Sequence, residues 1–406
     1  MLSALPMNAG IGPISTLLTL EILEQKGGAI EVAYVITLGN VVNIPASIFW
    51  GMMADRYNLR KIIIFCFGIC SLLVSLLYIA FNIIVLATIY SLISFFSVAY
   101  NTPMNLLIMS SVEKAKWAES FSRLSFMSST GVLLGTVISS LSTLIIGIRE
   151  MFLVLSALIF SSFLIAIRKL PRPPITFERV AILHKRESFI TRLKMFPIFF
   201  AHHPVLNLKV LSINYIRKRL LNDFGYLYLS IFTFYISSGI FNTLYPASLY
   251  IKGLSDSTTL GVIAFALLVQ ILMYRRTGKV ISDNGEKKAM QYSLILRGVS
   301  YSLIGIITQL FEGLPILISG LTLYPLAAGI AFAIYNTSSS IAIFNVVGER
   351  KQGTSLGIYS TLVGIALFTG SFLSGYIAHF LGYGADFIVA GLILFISLKL
   401  LKKYNI

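Results

Sequence analysis

Long apolar stretches separated by short polar loops run the length of this 406-residue chain. Stretches such as Ile62 to Asn82 and Val85 to Ile108 hold about 20 or more mostly apolar residues, enough to cross the ~30 Å hydrocarbon layer of a bilayer as a helix. The period-two alternation that a barrel with a wet lumen requires is absent. Helical spans are therefore predicted at 2–23, 30–53, 62–82, 84–110, 120–146, 150–168, 226–250, 257–274, 289–310, 315–344, 354–379 and 384–401. The fold class is an all-α integral membrane protein with twelve transmembrane helices.

Composition agrees with that reading. Hydrophobic residues make up 56% of the chain and charged residues 12%, about half the charged share of an ordinary soluble domain. The net charge of +16 would suit a nucleic-acid partner if the basic residues formed one patch, but they are distributed by loop. Arg56, Arg60 and Lys61, then Lys114 and Lys116, then 169–225, then Arg275, Arg276 and Lys279, then Arg350 and Lys351, then Lys402 and Lys403 occupy every second connection. The alternate connections carry little: Lys26 with Glu24, Arg149 with Glu150, Lys252 with Asp256, and Glu312 and Asp386 alone. The positive-inside rule predicts that the basic face is cytoplasmic, that both termini lie there, and that the number of crossings is even. The expected location is the cell membrane, the expected partners are lipid and a small-molecule substrate, with no nucleic acid, and a monomer is expected.

The first span has no preceding basic residue and no small-residue cleavage site, so it is read as a retained helix and not a secretory signal. Cys66 and Cys70 are one helical turn apart, a poor geometry for a disulfide, and read as small packing residues. No metal site or cofactor is expected. His202 and His203 have no carboxylate or cysteine at ligand spacing.

The chain divides at 169–225, which holds eleven Lys and Arg and begins with the proline-rich LPRPPITFERV. Residues 1–168 are expected to form a six-helix lobe, 169–225 a basic cytoplasmic linker and 226–406 a second six-helix lobe. Parts of the linker mix basic and apolar residues at helical spacing, suiting either an interfacial helix or a solvated basic segment. The halves also repeat. GMMADRYNLRK (Gly51 to Lys61) follows the second span and GKVISDNGEKK (Gly278 to Lys288) the eighth, each with a glycine, then an aspartate, then a closing basic pair. A second match joins AKWAESFSRLSFMSSTGVLLG, ending at Gly135, to RKQGTSLGIYSTLVGIALFTG, ending at Gly370.

These residues resemble the major facilitator superfamily, whose signature loop between the second and third helices has this glycine, Asp-Arg pair and basic pair. Gly51, Asp55, Arg56, Arg60 and Lys61 match it, with Asn58 where the family usually has glycine; Gly278, Asp283, Lys287 and Lys288 form a weaker second copy. The resemblance covers essentially the whole chain. It implies two pseudo-symmetric six-helix bundles and transport by alternating access, with Asp55 facing the start of the eleventh helix near Gly353 and Asp283 the start of the fifth near Glu119. The glycines would permit close helix approach there, and each aspartate could accept from free amides at a helix N-terminus.

Prolines at 6, 13, 103, 246 and 325 fall in the first, fourth, seventh and tenth spans, which by resemblance line the central cavity; Pro45 lies in the second. A bent backbone is tolerated at membrane depth where it faces protein or water. Candidate substrate residues on those spans are Asn8, Thr16, Tyr100, Asn101, Asn105, Tyr235, Asn242, Tyr245, Tyr324, Tyr335 and Asn336, either lining a cavity or bonding between helices. A cavity of this kind suits a small amphipathic or weakly polar ligand. Glu21 and Arg297 are the charged candidates for coupling. The fourth span lacks the arginine found in the family's proton-antiporting drug exporters. No constellation of catalytic groups is visible, so an enzyme is not expected, and a non-transporting sensor or scaffold is the alternative to a carrier.

Overall fold

The computed structural model describes residues 2–100, 103–105, 107–108, 117–171, 223–347 and 352–404. The basic linker expected to be partly interfacial lies almost entirely outside them. Among the described residues eleven helices are long and apolar enough to cross a membrane. Span one is broken: α1 (Ala4–Ile11) and α2 (Ile14–Glu24) meet at Gly12 and Pro13. Proline has no N–H for the helical ladder, so the break falls where the sequence places it.

The remaining spans are α3 (Ala29–Arg56), α4 (Leu59–Leu76), α5 (Ile83–Val98), α6 (Trp117–Ser142), α7 (Ile148–Lys169), α8 (Asp223–Ile251), α9 (Asp256–Asn284) and α10 (Glu286–Leu310). The tenth span comprises α11 (Leu314–Tyr324), a π-helical stretch Pro325–Ala331, and α12 (Phe332–Val347). Then come α13 (Gln352–Leu381) and α14 (Tyr383–Lys403). Side-chain caps start several of them: Asn58 accepts from the amides of Arg60 and Lys61, Asn82 from that of Ile84, and Ser255 from that of Thr258. These caps satisfy amides that have no intrahelical partner.

Two buried clusters organise the chain. One is built from residues 4–170 and joined by Leu244, Ala247, Leu260 and Ala378. The other lies entirely within 227–404 and is rich in aromatic rings. Phe65, Leu72, Ile84, Ile145 and Phe380 are exposed, a normal state for a surface that meets lipid. Packing inside each bundle relies on small residues. At Gly135 on α6 an added Cβ would overlap the carbonyl of Ala9 on α1, and at Gly370 on α13 it would overlap that of Ile236 on α8. The two glycines that end the second sequence match thus occupy equivalent places, each where the fifth helix of a half touches its first.

The lobes meet along α3 with α13 and α6 with α9. Among the described residues, several hydrogen bonds join them toward the end remote from the basic loops. There the Tyr34 and Tyr376 hydroxyls are 2.9 Å apart, Thr37 donates to Ser371 at 3.0 Å, and Asn40 donates to the same hydroxyl at 3.3 Å. Ser140 and Ser257 each donate to the other's carbonyl, at 2.8 and 2.5 Å. At the basic end a Cβ on Gly51 or Gly278 would meet nothing within 4 Å among the described residues. Among the described residues, none makes the close approach expected at these two glycines.

Candidate functional site

Below the seal, a cavity of about 210 Å³ opens between the lobes. From the first half, α2 contributes Ser15, Thr16 and Thr19, α3 Ile36 and Asn40, and α5 Tyr90. From the second, α8 contributes Ser238, Asn242, Thr243 and Pro246, and α13 Leu367. Among the described residues, hydroxyls and amides dominate this wall and none carries charge. Several hydroxyls are committed to their own helices: Thr19 donates to the Ser15 carbonyl at 2.9 Å and Thr243 to that of Gly239 at 2.6 Å. Such back-bonding satisfies the donor and leaves oxygen lone pairs facing the cavity.

Asn242 also borders a second cavity of about 170 Å³ inside the second lobe, with Ile263, Ala266, Leu267, Gln270, Arg297, Tyr324, Ala328 and Phe332. Its wall includes part of the π-helical stretch, where one residue per turn is added to the ordinary helix. Such segments are frequent at functional sites. Arg297, midway along α10, is 1% exposed and reaches inward, so it does not snorkel to the interface.

Of the residues expected to line the pathway, Thr16 and Asn242 lie on the central cavity and Tyr324 on the side cavity. Tyr235 donates to Asn336 Oδ1 at 3.1 Å, an interhelical bond between α8 and α12. Tyr100 is buried with its ring 5.6 Å from Phe67. Tyr335 stacks on Phe234 at 3.6 Å, and Tyr245 lies 4.8 Å from Phe241 and 4.2 Å from Tyr324. Tyr100, Tyr245 and Tyr335 are thus core residues here, because ring stacking favours turning them away from the cleft. Asn8 donates to its own helix at the Ala4 carbonyl, 2.7 Å away, and Asn105 is exposed. Asn101 lies outside the described residues. Ser15, Thr19, Asn40, Tyr90, Ser238 and Thr243 were not singled out by sequence; the motif ISTLLTL, with three hydroxyls on α2, was the available signal.

Glu21 is 1% exposed and lies away from both cavities. One oxygen accepts from Arg149 Nε and from Gln25 Nε2, both at 2.7 Å. It is neither solvated nor mobile charge but half of an ion pair between α2 and α7, with Arg149 also stacked 4.4 Å over the Phe81 ring. Of the gating residues, Arg60 donates to the Ile167 carbonyl and Lys287 to that of Tyr404. Lys61, Lys288 and Asp283 are exposed. The side chains of Asp55 and Arg56 lie outside the described residues. Buried Asp386 accepts from Ser374 at 2.9 Å, tying α13 to α14.

Two helical bundles around a mid-membrane cleft, sealed at one end, define a carrier that works by alternating access. The family model described as Major Facilitator Superfamily matches residues 1–280 and again 227–404, and the chain belongs to that superfamily. It is a multi-pass transporter of the cell membrane that handles a small-molecule substrate, and not an enzyme. A comparison with curated protein sequences gives no match. Among solved structures it is similar to a mutant form of the nucleoside transporter NupG, with TM-score 0.75, 14% identity and coverage of 100% of this chain and 98% of that one. It is similar to a POT family transporter in complex with 5-aminolevulinic acid, with TM-score 0.71, 13% identity and coverage of 98% and 94%. A bacterial homologue of the human lysosomal transporter Spinster, in an inward-facing and occupied conformation, gives TM-score 0.71, 14% identity and coverage of 99% and 94%.

Proposed function

We propose that this protein moves a small amphipathic or weakly polar molecule across the cell membrane by a rocker-switch motion of its two lobes, with the cavity around Thr16, Asn40 and Asn242 as the substrate site. The observation that carries the reading is a cavity walled by residues of both halves and closed at one end by bonds between the halves. A site shared in this way must be remade when the lobes rock, which couples occupancy to the motion. Hydroxyls and amides alternating with Ile36, Pro246 and Leu367 suit a ligand with both polar and apolar faces. With the basic loops in the cytoplasm, as the loop charges indicate, this conformation is inward-facing. The gating loops would brace the outward-facing form.

Similar structures bind ligands as different as peptide conjugates and 5-aminolevulinic acid, so substrate choice rests on the site and not on the fold. The test is uptake into proteoliposomes of ligands first selected by thermal shift of the purified protein. Thr16→Val and Asn40→Ala each remove one hydrogen-bonding group worth about 1 kcal/mol and should lower uptake roughly fivefold. Unchanged uptake in both variants would count against the central site.

A further inference from the structure

Arg297 is a buried cation with no counter-ion among the described residues. Guanidinium keeps its charge at physiological pH, and cations at mid-membrane ordinarily pair or face a watery cavity. No ion pair involves Arg297 among the described residues. Nε and Nη2 both donate to one acceptor, the Tyr301 hydroxyl, at 2.9 and 2.5 Å. Phe234, Tyr301 and Phe332 lie around the guanidinium at 4.8, 5.0 and 5.2 Å, and the Tyr301 ring is itself stacked on Phe241 at 3.7 Å. Nη1 is buried and has no hydrogen-bond partner among the described residues.

The aromatic rings hold the guanidinium without neutralising it, and it borders the 170 Å³ side cavity. The other polar groups on that wall, Asn242, Gln270 and Tyr324, are neutral and able to donate hydrogen bonds. We propose that the side cavity binds the carboxylate of a small organic monoanion, with Arg297 as the charge-pairing residue. This rests on the reading of the central cleft as the substrate site: Asn242 borders both cavities, so the anionic group sits at Arg297 while the polar body lies between the lobes. A planar carboxylate matches the fork of a guanidinium. One cation balances one negative charge, whereas a phosphate or dicarboxylate would bring charge that nothing on the wall offsets. Ile263, Leu267 and Phe332 accommodate the carbon skeleton.

The experiment measures the melting temperature of purified full-length protein with matched pairs of monocarboxylates and their carboxamides, from acetate and acetamide to benzoate and benzamide. Succinate and inorganic phosphate form further arms. At least one carboxylate should stabilise the wild type while its amide does not. Arg297→Gln should abolish that difference. Arg297→Lys keeps the charge but loses the fork, and should bind the same carboxylate roughly tenfold more weakly; it serves as the informative variant if Arg297→Gln does not fold. Equal stabilisation by acid and amide throughout the series overturns the proposal. So does a retained carboxylate response in Arg297→Gln, or a stronger response to succinate or phosphate than to every monocarboxylate. The central-site reading fails by a different result, unchanged uptake in Thr16→Val and Asn40→Ala.

Discussion

Ser140 on α6 and Ser257 on α9 exchange two hydrogen bonds, each hydroxyl donating to the other's carbonyl. The pair clasps helices of different lobes at the end remote from the basic loops. Removing both hydroxyls deletes two bonds of about 1 kcal/mol each, so the double variant Ser140→Ala, Ser257→Ala should shift the lobes toward opening at this end by roughly five- to thirtyfold. Spin-label distances across the α6–α9 contact should lengthen. An unchanged distance distribution would show that Tyr34, Thr37 and their partners hold the seal alone.

The glycines divide into two classes with opposite expected behaviour. Gly135→Leu and Gly370→Leu would drive a side chain into a neighbouring backbone carbonyl, which cannot move as a side-chain tip can, and should destabilise by about 3 kcal/mol or more. Gly51→Ala and Gly278→Ala meet open space among the described residues and, lying inside helices, should leave the melting temperature unlowered or raise it, since alanine favours a helix interior over glycine by up to about 1 kcal/mol. If the signature glycines pack closely in the alternate state, the same two alanine variants should slow transport. Normal turnover would remove them from the gate.

The Glu21–Arg149 pair is lopsided, with side chains 1% and 29% exposed. Arg149→Ala strands a buried carboxylate and should approach the ~3–5 kcal/mol cost of breaking a buried pair. Glu21→Gln leaves an arginine that reaches water and keeps its place over Phe81, so its cost should be clearly smaller. Melting temperatures of the two variants in detergent test the order, and a reversed order would contradict the pairing described.

Asp55 and Asp283 are expected to brace the conformation that is not seen here. Asp55→Asn and Asp283→Asn should therefore leave the present conformation and its melting temperature intact while reducing turnover about tenfold, the effect of losing a charge-assisted bond. Single-turnover efflux from preloaded vesicles, where one reorientation suffices, should be less affected than continuous exchange. Equal losses in both assays would place these carboxylates in substrate binding instead.

Twelve spans, their alternating loop charge and the repeat were legible in the sequence because each depends on local quantities: apolar length, charge counts and spacing. Pro13 and Pro325 likewise announced the broken first span and the irregular tenth. Helix rotation was not legible. In a soluble protein the polar face of a helix marks its solvent side, but these helices are apolar on faces that meet lipid and on faces that meet protein. Nothing in the sequence therefore distinguished Tyr335, stacked on Phe234, from Tyr90, which lines the cleft. Arg297 stood out by its charge, yet only the packing of Phe234, Tyr301 and Phe332 around it decided that it points inward, with Nη1 unpaired among the described residues. The sequence determined which segments enter the membrane; contacts between residues distant in the chain decided which side of each segment faces the cleft.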